Sequence, residues 1–313
     1  MRLDDIDLVA ICVPPKWHIE LLLQALSRGK HVLIEKPLAM NLREADLAVA
    51  AAADSSSVVG VALMHRYQPV YSAVRDLVRT GALGPLQQVR LTLGRNMYGD
   101  SRFCNPAGDP RSWLVNHSIA GGGMLMSSSI HFLSVVSFIL GDPQATHVSG
   151  RVRQSHPAAF PGIEDEVDLL VQWEGGVQYV HQESWVTDRP YRAEVLGDTG
   201  QLVITDEGHS KLSLQGKFSQ SLSPQQQAAL NHHPDTSPPQ ESDDPVQSLF
   251  CSLWSDVLES IHLRACVPRL PGLRHARNMQ AIVSAAYRAE AAGQVCPVDW
   301  LPETNGTMPP LAP

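Results

Sequence analysis

The chain has 313 residues, 43% hydrophobic and 18% charged, which is typical of globular proteins and predicts about two domains. Its formal charge of −8 disfavours phosphate backbones, so nucleic-acid binding is not expected. Five scattered cysteines, none at metal-ligand or redox-motif spacing, predict a reducing, cytoplasmic location. We find neither a positively charged signal segment nor an apolar run of about 18 residues, so no membrane association is predicted.

The first part of the chain alternates short apolar strands with helices. Strands are predicted at 7–13, 31–34 and 58–63. Helices are predicted at 18–27, from Asn41 with Glu44 as a capping partner, and at 69–80. This alternation predicts parallel strands with right-handed crossovers, in a domain that ends at residue 84.

From residue 86 the apolar period changes to strict alternation, which predicts half-buried strands. Such strands are expected at 86–93, 147–153, 166–173, 177–185, 192–196 and 201–205. Residues 85–313 are therefore predicted to form a mainly antiparallel sheet with one polar face, followed by helices near 245–263 and 274–292. The segment 215–247, rich in Ser, Pro and Gln, is predicted to be a mobile loop.

Two segments carry residues suited to chemistry. Lys36 follows a predicted parallel strand, and ligands bind at the carboxyl ends of such strands; a surface ion pair with Glu35 is the alternative. Ser127, His131 and Ser134 are spaced to share one face of an apolar helix after three glycines. His131 is either a general acid/base or a buried histidine bonded to a carbonyl.

No metal site is predicted. Residues 164–166 are acidic but are expected to form a solvated loop, and His181 is expected to be structural. The pair His232-His233 lies in the polar loop, where metal binding is not expected. Pro14-Pro15 before His18 predicts a rigid turn between strand and helix.

An ordered series of motifs resembles the Gfo/Idh/MocA family of NAD(P)-dependent oxidoreductases. The series comprises Asp7 to Pro15 with His18, Gly29 to Val32 with Glu35-Lys36-Pro37, Arg66-Tyr67 with Pro69, Gly81-x-Leu83-Gly84, the block from Gly121 to Gly141, and Gly197 to Leu202. The resemblance covers essentially the whole chain. It implies a Rossmann domain followed by an open-faced, mainly antiparallel sheet with helices on one face.

The resemblance also implies an activity and a site. Family members oxidise a secondary alcohol of a sugar or polyol, or run the reverse, with NAD or NADP. It implies that Lys36 and His131 are catalytic and that the nicotinamide side of the cofactor meets Val13, Pro14, Pro15, His18, Glu35 and Lys36. The substrate is expected to contact Arg66, Trp113, Ser127 and His131. It further implies a homodimer or tetramer through the open sheet face.

The chain departs from the family pattern at two places. Ser127 and Ser134 stand where the family has aspartates, so a carboxylate for His131 would have to come from Asp100, Asp109 or Glu183. No Gly-x-Gly-x-x-Gly precedes Asp7, so residues 1–84 are predicted to be a partial Rossmann domain with weakened cofactor binding. The alternatives to an active enzyme are a cofactor-poor binding or regulatory subunit and an N-terminally incomplete gene product.

Overall fold

The computed structural model describes residues 5–53, 55–97, 112–206, 212–231 and 245–301. Its first sheet has three parallel strands in the order β1-β2-β3: β1 Leu8–Ile11, β2 His31–Ile34 and β3 Val59–Val61. Helices α1 His18–Leu26 and α2 Leu42–Ala53 connect them. Asn41 caps α2 by accepting a hydrogen bond from the Glu44 amide at 3.0 Å, as the capping pattern predicts.

The second sheet has eight strands in the order β10-β9-β8-β4-β7-β6-β5-β11. Its strands are β4 Leu86–Gly94, β5 Ala145–Arg153, β6 Glu166–Trp173, β7 Gln178–Ser184, β8 Arg189–Gly197, β9 Gly200–Asp206, β10 Leu212–Phe218 and β11 Cys296–Pro297. All neighbours pair antiparallel except β4 and β7, which run parallel at the centre. The predicted class, a parallel sheet followed by a mainly antiparallel one, is confirmed.

The described residues form six further helices. They are α3 Pro69–Arg79, α4 His117–Ala120, α5 Ile130–Leu140, α6 Pro224–Asn231, α7 Pro245–Leu263 and α8 Leu273–Ala292. A π-helical turn, Leu125–Ser129, leads directly into α5. The inward side chains of the large sheet and the residues of α5 share one hydrophobic core.

The last two long helices return to the first sheet. Leu253 and Val257 of α7 are buried in a cluster with Leu33 and Val58, and the Val61 amide donates to the Pro271 carbonyl at 2.8 Å. Because sequence periodicity shows only that a helix has an apolar face, it did not show which sheet that face covers. The domain boundary at residue 84 stays a prediction.

The prediction of one loop over 215–247 is wrong for two parts of it. Strand β10 extends to residue 218 because its backbone pairs with β9. Helix α6 forms because Ser223 and Gln226 cap it reciprocally: the Gln226 amide donates to the Ser223 hydroxyl, and the Ser223 amide donates to the Gln226 side chain. The polar composition concealed both elements.

The acidic segment 164–166 is not a solvated loop. Glu164 and Asp165 are buried, and Glu166 begins β6. The Glu164 carboxylate accepts the backbone amides of Gly123 and Leu125, each at 2.9 Å, and so caps the π-helical turn. A Cβ at Gly123 would lie 2.2 Å from the Glu164 carbonyl oxygen, which explains why this position has no side chain.

Segment His117–Leu140 contains an 18-residue window with a mean hydropathy of 1.7, long and apolar enough to cross a membrane by length and composition alone, although Gly, Ser and His interrupt its apolar residues. However, 83% of its most apolar window is buried inside the protein. Packing in the core therefore accounts for its composition.

Candidate active site

Lys36 extends from the carboxyl end of β2 toward the large sheet. It follows Glu35 directly after the strand, and a cis peptide bond joins it to Pro37. Its amine donates to the main-chain carbonyl of Ser127 in the π-helical turn. Burial lowers the pKa of Lys36, whereas the charges of Glu35 and Glu183 favour its protonated form. The alternative, a simple surface ion pair, does not describe this position.

His131 lies in the first turn of α5 and is buried. Among the described residues, no hydrogen-bond partner faces its Nδ1 atom, so it is not a histidine bonded to a carbonyl there. Burial lowers its pKa well below the ordinary value, and the nearby His65 and Lys36 lower it further. At neutral pH the ring is therefore neutral and able to accept a proton.

The serines of the π-helical turn and of helix α5 have different neighbours. In a regular helix Ser127 and Ser134 would share a face with His131. Instead Ser127 uses its carbonyl to bind Lys36, and the Ser134 hydroxyl lies 2.8 Å from His275 Nε2. The Ser127 carbonyl and the Ser134 hydroxyl therefore lie in different environments, and only Ser134 shares the regular helix α5 with His131.

His65, which the sequence interpretation passed over, stacks on His131. The two ring centroids are 4.2 Å apart and the ring planes differ by 17°. Burial, reinforced by the charge of Lys36, lowers the pKa of His65 to about 4. Two stacked rings at this distance disfavour double protonation, so His65 helps to keep His131 neutral.

Besides Glu35, a second carboxylate near Lys36 comes from Glu183. It lies on the inward face of β7 and accepts the hydroxyls of Ser128 and Ser129. Its charge acts on Lys36 and on His65. Of the three alternatives for the missing aspartate, Asp100 and Asp109 lie outside the described residues.

His18 braces the loops that follow β1 and β2. Its ring is fully buried, with Nδ1 2.8 Å from the Pro37 carbonyl and Nε2 2.7 Å from the Val13 carbonyl. Both ring nitrogens face protein carbonyls. The contact of His18 with the cofactor stays a prediction. Pro15 is also buried, whereas Val13 is 37% exposed and Pro14 is partly exposed.

Arg66 is also buried, and its predicted contact with substrate stays a prediction. It is 2% exposed, pairs with Asp142 at 3.3 Å and lies over the Phe138 ring at 4.7 Å. The next residue, Tyr67, donates to Asp256 of α7 at 2.8 Å. The turn that carries His65 is therefore fixed by two neighbouring buried polar groups.

The structure does not test the predicted contact between Trp113 and the substrate. Trp113 is half-buried in a short helical turn, and its contact with substrate stays a prediction. Tyr98, Arg102 and Arg111 of the same stretch lie outside the described residues.

The depressed pKa of His65 predicts acid sensitivity. A folded-state value of about 4 against 6.5 unfolded means that the unfolded chain binds the proton first as the pH falls. Stability should be complete above pH 6.5 and decline toward pH 4, with this residue contributing at most about 3 kcal/mol. Urea unfolding of wild type and His65→Phe at pH 7.0, 5.5 and 4.5 checks this. An equal decline in both proteins would contradict it.

Together these features define a two-sheet, Rossmann-type protein in which a lysine of the parallel sheet meets a histidine on a helix of the large sheet. A model described as the oxidoreductase family, NAD-binding Rossmann fold, matches residues 1–63. A model of the GFO/IDH/MocA C-terminal domain matches residues 71–203. These two matches together cover more than half of the chain, which belongs to the Gfo/Idh/MocA family.

Curated relatives and solved structures agree with this assignment. The 1,5-anhydro-D-fructose reductase of Ensifer adhaerens is 28% identical over 200 residues, 64% of this chain and 57% of the relative. The scyllo-inositol 2-dehydrogenase (NAD(+)) of Bacillus subtilis (strain 168) is 26% identical over 215 residues, 67% and 58% of the two chains. The chain therefore spans slightly under three fifths of these relatives.

Among solved structures, levoglucosan dehydrogenase in complex with NADH and levoglucosan gives a TM-score of 0.75 at 20% identity, covering 95% of this chain and 82% of that one. Aldose-aldose oxidoreductase from Caulobacter crescentus, complexed with glycerol, gives 0.74 at 23% identity, covering 94% and 80%. These likenesses support the fold.

Proposed function

We propose that the protein is an oxidoreductase that transfers a hydride between a nicotinamide cofactor and a secondary alcohol of a sugar, polyol or related compound. The observation that carries this proposal is the convergence of Lys36 and His131. Lys36 follows a strand of the parallel sheet and His131 lies on helix α5, yet the charge of Lys36 acts on the buried ring of His131. Relatives named as sugar and inositol dehydrogenases support the substrate class.

The two residues have complementary tasks in this proposal. Oxidation of an alcohol requires removal of the hydroxyl proton, and the neutral ring of His131 is the base that accepts it. The Lys36 ammonium donates a hydrogen bond to the substrate oxygen, where negative charge develops. In the reverse direction His131 returns the proton to that oxygen.

The described residues fit the nicotinamide end of NAD or NADP. Val13 and Pro14 present partly exposed apolar surface at the carboxyl end of β1, which is where a parallel sheet of this kind binds its ligand. Lys36 and Glu35 lie at the end of the adjacent strand. When bound, the nicotinamide ring accepts or donates the hydride.

A cofactor titration combined with a substrate panel tests the function. NADH and NADPH are titrated into the 313-residue chain and followed by fluorescence, and sugars, polyols and their ketones are then assayed for cofactor-dependent turnover. We expect saturable binding of at least one cofactor and turnover of at least one panel member. No binding at millimolar cofactor and no turnover would overturn the proposal and favour a binding or regulatory role.

We also propose that the protein forms dimers or tetramers through the outer face of the large sheet. This face presents exposed Arg90, Gln172 and Gln182 beside the 37% exposed Leu170. A mixture of polar and apolar side chains is typical of protein interfaces that contain bridging water molecules. Light scattering is expected to give twice or four times the 34.1 kDa mass of the chain, and a monomer mass would contradict the proposal.

The cytoplasm is the proposed location. Three cysteines, Cys12, Cys251 and Cys266, are free and exposed. Exposed thiols persist in a reducing compartment, whereas an oxidising one favours disulfides.

A further inference from the structure

Glu183 is the centre of a buried hydrogen-bond network beneath Lys36. The residue is 3% exposed, and its Oε2 atom lies 2.5 Å from the Ser129 hydroxyl and 3.0 Å from His181 Nε2. The Ser128 hydroxyl donates to its other oxygen. The carboxylate therefore joins β7 to two of the three serines of the π-helical turn, and the third, Ser127, supplies the carbonyl bound by Lys36.

The network holds Glu183 as an acceptor. The Tyr179 hydroxyl lies 2.7 Å from His181 Nδ1. A tyrosine hydroxyl donating to Nδ1 leaves the proton of a neutral ring on Nε2, which then donates to the Glu183 carboxylate. Three donors thus converge on one buried carboxylate.

Glu35 also favours the protonated form of Lys36 by its charge. Glu183 differs in that it binds the π-helical turn through Ser128 and Ser129. Glu35 accepts the backbone amide of Lys36 at 3.1 Å, and burial raises its pKa. His65 and His131 are held neutral by their burial. Position 127 is a serine, so the π-helical turn carries no acid of its own beside the lysine.

We infer that Glu183 is a positioning residue for the reaction, acting through Lys36 by fixing the π-helical turn whose carbonyl binds the amine and by adding negative charge close to it. This inference rests on the proposed function. It assigns to β7 the negative charge that position 127 lacks. His181, expected from sequence to be merely structural, then belongs to the support of this carboxylate.

The protonation of Lys36 can be measured without cofactor or substrate. Acetylation of Lys36 by acetic anhydride is followed against pH by peptide mass spectrometry, since only the free amine reacts. In Glu183→Gln the pH of half-maximal reactivity is expected to fall by about one unit, because the neighbouring carboxylate is gone. Glu166→Gln is the matched control: it removes a carboxylate from the adjacent strand that pairs with Arg153.

Two further variants separate charge from packing. Glu183→Asp retains the carboxylate and is expected to keep the Lys36 midpoint within about 0.3 unit of wild type. The double variant Ser127→Asp with Glu183→Gln returns a carboxylate to the turn. It is therefore expected to recover part of the fall in the Lys36 midpoint pH and part of the loss in kcat. An unchanged midpoint in Glu183→Gln, or an equal fall in Glu183→Asp, would overturn the inference.

Activity then separates this inference from the proposed function. In a turning-over enzyme, Glu183→Gln is expected to lower kcat about tenfold to a hundredfold, with the control near wild type. A shifted Lys36 midpoint in a protein that turns over no substrate would refute the proposed function and still support the effect of Glu183 on the lysine. An unshifted Lys36 midpoint in an active enzyme would refute the effect of Glu183 on the lysine and leave the proposed function standing.

Discussion

Replacing Lys36 with methionine is expected to reduce turnover on the order of 100-fold to 1,000-fold. Methionine matches the length of the lysine stem but cannot donate a hydrogen bond to an oxygen that gains negative charge. Because the lysine interaction strengthens in the transition state, the loss should fall mainly on kcat rather than on KM. The measurement is steady-state kinetics on the best substrate of the panel with NADH or NAD.

Lys217→Met provides the matched control for this substitution. Lys217 is exposed on β10, away from the described site, and its replacement makes the same chemical change. The control is expected to retain wild-type kinetics. A Lys36→Met protein within threefold of wild type would remove Lys36 from the proposed catalytic pair.

Replacing His131 with asparagine is expected to reduce kcat/KM for alcohol oxidation by about 100-fold to 10,000-fold, the usual contribution of a general base. The pH profile should change as well. Oxidation by wild type requires the neutral ring, so its rate rises with pH through the His131 pKa, which burial places well below 6.5. Activity should therefore persist below pH 6.5 in wild type, and this acid limb should be absent from the variant.

His262→Asn is the control for that profile. His262 is an exposed histidine in the last turn of α7, so its loss leaves the buried site intact. An acid limb that survives in His131→Asn would assign the base to another group, and His65 is then the first candidate because its ring stacks on the same face.

Local patterns in the sequence predicted most elements of the fold. Apolar runs and alternation depend on neighbouring residues, and they located β2, both long C-terminal helices and the hairpin between β6 and β7. The π-helical turn was not predictable in this way because it replaces the ordinary helical repeat without a change in composition. Local patterns also failed to predict the strand and the helix within 215–247. The strand is stabilised by pairing with β9 and the helix by its cap, and neither is visible in the apolar pattern.

The site was predicted where the sequence marked it with a motif and missed where tertiary contact defines it. Lys36 and His131 stand out at a strand end and on an apolar helix. His65 lies 66 residues before its stacking partner and carried no signal beyond its place before Arg66. Arg66 and His18 illustrate the converse: a motif marks a residue, whereas only packing shows that its side chain is buried.

Transfer of deuterium from the cofactor tests the central claim most directly. NADH labelled with deuterium at C4 is incubated with the protein and a ketone from the substrate panel, and the product is examined by mass spectrometry. The proposed function predicts one deuterium at the carbinol carbon with wild type and its loss in Lys36→Met and His131→Asn. A product without deuterium, or equal labelling by the two variants and wild type, would contradict it.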